Sequence, residues 1–244
     1  MTETEFLQLL RDGAHLTDIV LDKANLSGTE AYDLVLKNCT FTEVNLARAD
    51  WEGLRAEDCT FHRCQFVGMG LDTAVFTNCT FFDADQSLGC TFHLAQLRQA
   101  TFTKCNLAMC NFEQAHLFQA TIKECHALGT VFFKAQFKNA ATITHNNLQY
   151  ANLRSVNLAK CDLSHNNLMW ANLDEANLEE ANLMDCDLNG ITYRYTKFFG
   201  ADLRGAELIS LNLREADLRG AKIFDSQMRQ LIENCEIIIF PDNR

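Results

Sequence analysis

The chain has 244 residues, of which one is proline and 18 are phenylalanine, and it carries a formal charge of −11. That length suits one domain or two small ones, and a hydrophobic fraction of 48% is ample for a core. The acidic balance argues against direct binding of nucleic acid, whose phosphates call for Lys and Arg, and no run approaches the roughly 18 consecutive apolar residues of a membrane span.

In chain order, residues 1–18 read as an N-terminal cap. Phe6, Leu9 and Leu10 stand at helical spacing behind Thr2 and Glu5, which have capping-box spacing. A helix here would cover the open end of whatever follows. The opening MTETEFLQLLRDG lacks the basic start and long apolar run of a secretory signal, so a cytoplasmic, reducing compartment is the expectation.

From Leu21 a large apolar residue recurs every five positions, through Leu26, Leu36, Phe41 and Leu46. Three blocks, 21–81, 92–137 and 143–223, each hold one register, and Leu, Phe or Ile fills 35 of their 40 repeat centres. A helix repeats at about 3 and 4 and a long strand at 2, so a sustained period of five is neither. Two positions before the centre stands Ala 17 times and Cys 10 times. Residues i and i−2 of an extended chain point to the same side. Each pentapeptide therefore sends one large and one small side chain inward, then turns a corner.

The period slips twice. After Phe81 the centre Gln86 is skipped and the pattern resumes at Cys90 and Phe92, leaving Asp83, Ala84, Asp85, Gln86, Ser87 and Leu88 as a polar bulge. Loops that interrupt a solenoid are common binding places. The second slip, between Phe137 and Ile143, needs only one extra residue. Further on, Asp174, Glu175, Glu179, Glu180, Asp185 and Asp187 follow one another without a Lys or Arg, and base returns at Arg194, Lys197, Arg204, Arg214 and Arg219. The tail, 224–244, opens with Asp225, which can N-cap a helix through Met228, Leu231 and Ile232. It continues to Ile237, Ile238, Ile239 and Phe240, too apolar to stay bare. It either covers the end of the repeat or forms an interface.

Ten of the eleven cysteines occupy the small inward position, where Ala replaces them freely, as expected of a small hydrophobe. No C-x₂-C pair suggests zinc. The seven histidines fall on outward or corner positions without a partnered Ser, Cys or Asp, and there is no Gly-rich phosphate loop. Neither an enzyme, a metal site nor a cofactor is expected.

The motif A(D/N)LXX, undiluted as Ala-Asn-Leu at 171–173, 176–178 and 181–183, resembles that of pentapeptide-repeat proteins over about residues 19–223. The resemblance implies an all-β, right-handed quadrilateral β-helix with short helical caps. Four pentapeptides per coil would then give about ten coils and a rod about 48 Å long. Residues 79–92, with their flanking cysteines, are similar to the first projecting loop of the Qnr-type quinolone-resistance branch. Residues 104–112 are similar to the coil that follows it, and 218–223 with the helix and apolar strand beyond to its C-terminal dimerisation element. Members of that branch are acidic, dimeric rods that bind DNA gyrase and topoisomerase IV as mimics of a DNA duplex. The resemblance thus implies a gyrase or topoisomerase IV partner and modulation or protection against quinolones. It also implies a homodimer through Met228, Leu231, Ile232 and 237–240. Partner contacts would lie at the 83–88 loop and at the acidic belt of 174–187, which circles one coil. The second, larger loop of that branch would fall near 138–146, where this chain is almost uninterrupted. A scaffold or adaptor that uses the flat faces of the rod for protein contact is the alternative.

Overall fold

The computed structural model describes residues 1–11, 15–137 and 141–233. Cys235 and the apolar residues 237–240 lie outside them. The elements in chain order are α1 (Glu3–Arg11), β1 (His15–Thr17), β2 (Val20–Asp22), β3 (Val35–Lys37), β4 (Thr40–Thr42), β5 (Arg55–Glu57), β6 (Thr60–His62), β7 (Val75–Thr77), β8 (Phe82–Asp83), β9 (Leu88–Gly89), β10 (Thr101–Thr103), β11 (Thr121–Lys123), β12 (Thr142–Thr144) and α2 (Asp225–Glu233).

Most strands are three residues long because the chain turns after every pentapeptide, and the middle residue is the buried repeat centre. They stack in parallel, β1-β3-β5-β7-β10-β11-β12 on one side and β2-β4-β6 on the next. Two further sides are held by single bridges, such as Asn25 to Asn45 to Gln65 and Glu30 to Asp50 to Gly70. Four ladders offset by five residues make a four-sided coil. The regular strands cover about six turns. Beyond β12 the same ladder continues as bridges from Thr142 to Asp162, Asn182, Asp202 and Lys222. Both slips are visible in the register. Ala56 pairs with Phe76, but Phe76 pairs with Phe102 across the 83–88 insertion, and Ile122 pairs with Ile143 across the single extra residue.

In-register stacking brings like onto like. Phe41, Phe61 and Phe81 stack at 5.2 and 5.0 Å, and Phe66, Phe92, Phe112 and Phe132 at 4.5, 4.6 and 5.2 Å. Edge-to-face contacts tie the columns together, as between Phe61 and Phe66. After Ile143 the buried centres are mostly leucines.

The small inward position is filled by buried Ala and Cys alike. At many corners the carbonyl of the repeat centre accepts the N–H three residues on, as Leu26 does from Thr29 and Leu46 from Ala49. Where the strand runs on into the corner, the carbonyl takes a ladder N–H, and a thiol of the neighbouring coil approaches it as well. Cys39 reaches Leu16, Cys64 reaches Phe41, Cys79 reaches Ala56 and Cys125 reaches Phe102, at 3.4 to 3.5 Å. Asn146 and Asn166 do the same for Ile122 and Ile143. The carbonyls beside the thiols already accept a ladder N–H, so the thiol adds a second, weak donor. The described cysteines are all free thiols.

Both ends are covered. Thr2 and Glu5 exchange backbone-to-side-chain hydrogen bonds at 2.8 and 3.3 Å, starting α1, whose Phe6 is fully buried against Phe41 and Trp51. On α2, the Gln227 amide donates to the carbonyls of Leu203 and Ala206 while its oxygen accepts from Gly205, so the last coil keeps its hydrogen bonds.

Candidate partner-binding surface

The residues of the first slip form a hairpin. β8 and β9 pair antiparallel, Phe82 opposite Gly89 and Asp83 opposite Leu88, while the other paired strands are parallel. The base of the hairpin lies so close to the next coil that a Cβ at Gly89 would overlap the peptide between Met109 and Cys110. Asp85, Gln86, Ser87 and Leu88 are exposed at the tip, as a contact loop requires. Asp83 is a correction. It is 3% exposed, and its Oδ1 accepts the N–H groups of Asp85 and Gln86 at 3.0 and 3.3 Å while Oδ2 pairs with Arg63. It organises the turn and does not face a partner. Burial opposes its charge, but the Gln86 N–H, Arg63, the Asp85 N–H and nearby His62 more than offset this and hold the carboxyl below its ordinary value.

The acidic belt is less bare than its run in sequence suggests. Glu175 accepts from Ser155 at 2.6 Å and Arg154 at 2.8 Å, which hold its carboxyl below the usual range. Glu180 pairs with Lys160, Glu179 with Lys197 and Asp185 with His165. Asp174 and Asp187 accept the backbone N–H groups of Arg194 and Asn189. Base therefore flanks the belt on both sides, because Arg154, Lys160 and His165 come from the preceding coil.

A group of bare acid lies elsewhere. Glu30 and Asp50 are bridge partners on successive coils, Glu52 follows two residues on, and none of the three is ion-paired within the described residues. Their field is visible at exposed Tyr32, whose phenol is pushed up by Glu30 first, then Asp50, with burial and Glu52 adding. The signal was present in the sequence as Glu30 and Asp50 one coil apart, but a reading along the chain favours runs over spacings.

Comparison with known proteins fits this architecture. The profile described as Pentapeptide repeats (8 copies) matches residues 95–132, 139–174, 151–190 and 194–230, together just over half the chain. The chain belongs to the pentapeptide-repeat family. This pentapeptide-repeat protein is 33% identical over 91 residues to "Pentapeptide repeat protein QnrB4" of Escherichia coli, and 31% identical over 102 residues to "Quinolone resistance pentapeptide repeat protein QnrB96" of Scandinavium goeteborgense. These stretches are 34% and 38% of the chain and span 42% and 48% of the two relatives, less than half of either. A solved structure of a trypsin-treated variant of QnrB1, described as a plasmid-mediated fluoroquinolone resistance protein, matches with a TM-score of 0.77 at 28% identity, covering 92% of this chain and 99% of that one.

In the tail of this pentapeptide-repeat protein the proposed dimer residues separate. Leu231 is buried at 3% in the core of its own chain, Ile232 is partly covered and Met228 is half exposed. Leu231 thus covers the last coil, and the expected interface residues 237–240 lie outside the described residues. One surface was passed over in the sequence. Met109, Tyr150 and Trp170 are each about half exposed, Met109 lying over Gly129 and the Trp170 ring over Gly190. Among the described residues no helix is long and apolar enough to cross a membrane.

Proposed function

We propose that this protein binds a type II topoisomerase, DNA gyrase or topoisomerase IV, and modulates it or protects it from quinolone-type inhibitors. The observation that carries the reading is the likeness to a fluoroquinolone resistance protein along 92% of the chain. The net charge of −11 and the group of Glu30, Asp50 and Glu52, without an ion pair among the described residues, support contact with a surface made for DNA. Asp85, Gln86, Ser87 and Leu88 offer the projecting contact, and a homodimer through the tail belongs to the same reading.

Gyrase supercoiling measured at rising quinolone, with and without the protein, is the test. Restored supercoiling at inhibitory quinolone is expected for protection, and lowered supercoiling without drug for modulation. No effect and no binding would overturn the reading. That outcome favours the adaptor alternative, which the ion pairing of the acidic belt already supports by weakening charge mimicry there.

A further inference from the structure

We propose that Arg63 is a positioning residue for the hairpin of β8 and β9, which it anchors to the rod through an ion-pair chain from Glu43 to Arg63 to Asp83. The functional half of this inference rests on reading the hairpin tip as a topoisomerase contact; the positioning half does not.

Glu43, Arg63 and Asp83 stand one coil apart. Glu43 and Arg63 occupy the same left-handed corner position, with φ of 53° and 54°. The side chains therefore line up along one edge of the rod, ending where the hairpin leaves it. Arg63 sends both Nε and Nη2 to Oε1 of Glu43, at 3.2 and 2.7 Å, and Nη1 to Asp83. A planar guanidinium can face two carboxylates at once, which the single ammonium of Lys does not reproduce. Asp83 then relays the anchor, because its other oxygen holds the N–H groups of Asp85 and Gln86. Rod and hairpin tip are thus joined through one carboxylate.

The environment makes the contact matter. The Asp83 side chain is 5% exposed and that of Arg63 30%, so the pair is screened less than an open surface ion pair. Without Arg63 a nearly buried carboxylate loses its counter-charge, which is strongly unfavourable. Rehydrating Asp83 would draw it out of the turn and release the tip. A six-residue insertion held at its base loses less freedom when a partner orders it, so the anchor prepares the tip for binding.

Amide hydrogen exchange at Asp85 and Gln86 reads the positioning directly. Arg63→Gln should raise exchange there by about tenfold, as loss of a charge-assisted hydrogen bond predicts, and Arg63→Lys by less. Glu43→Gln, at an exposed site that cannot endanger folding, should give a smaller effect of the same sign. Exchange in β10 and β11 should stay unchanged. Unaltered exchange at Asp85 and Gln86 in both Arg63 variants overturns the proposal. Gyrase binding is measured alongside, and a loss that follows the exchange supports the functional half. Faster exchange with full binding refutes the hairpin as the contact while the anchor stands. If the wild-type protein does not bind gyrase at all, the topoisomerase reading fails and exchange alone decides the anchor.

Discussion

Phe102 and Cys105 stand three residues apart, both inward, and the repeat treats them differently. Phe102 stacks on Phe76 at 4.8 Å and meets Phe92 and Phe112 edge-on. Its replacement by Ala should cost about 3–5 kcal/mol, the range for emptying a close-packed aromatic site. Cys105 donates to the carbonyl of Phe76 at 3.5 Å. That carbonyl also keeps the ladder N–H of Thr103, so Cys105→Ala should be nearly silent, as expected of a small inward hydrophobe. Urea unfolding of both variants checks the pair. Equal shifts would refute the inward assignment of Phe102. Burial pushes Cys186 up to about 12 and Cys90 well above its ordinary value, so neither of these two is a thiolate near neutral pH. That large and small positions point inward was legible, because a period of five in extended backbone admits no other arrangement. Which corners place a thiol beside a carbonyl was not, since it depends on how each corner bends.

Among the elements, the two helices solve one problem, the unpaired face of a terminal coil. α1 does so with Phe6 and α2 with Gln227 and Leu231. Leu231→Ala should therefore lower stability by about 2–5 kcal/mol, as for other buried leucines. Met228→Ala should leave stability nearly unchanged, because that side chain is half exposed. If the tail also dimerises, Met228 is on the face left for a partner, and its replacement should lower the mass seen in sedimentation. An unchanged mass restricts Met228 to the solvent side of a cap. Helix position was legible from spacing and from the Thr2–Glu5 box. The division of α2 into a covering side and a free side was not, because both sides carry apolar residues. The hairpin was legible as a polar interruption, yet the inward turn of Asp83 needed Arg63, which lies 20 residues earlier in sequence.

For the whole molecule the decisive question is where the charge stands. Exposed carboxylates act through their summed field, which salt screens, while paired ones contribute little to it. Changing Glu30, Asp50 and Glu52 to Gln and Asn should therefore weaken topoisomerase binding more than changing Glu175, Glu179 and Glu180 to Gln. The difference should shrink as ionic strength rises through the physiological range. Binding titrations at two salt concentrations check this, and equal effects of the two triple variants would refute charge steering through Glu30, Asp50 and Glu52. By itself the sequence determined the repeat, its inward positions, the sites of interruption and the caps. These are all consequences of local periodicity, and a solenoid contacts only its neighbouring coils. Only the tertiary structure decided which acids are bare and which are paired, which carbonyls take a thiol, and that Asp83 belongs to the rod. Each of these rests on contacts between residues a full coil apart, brought together only when the coils close.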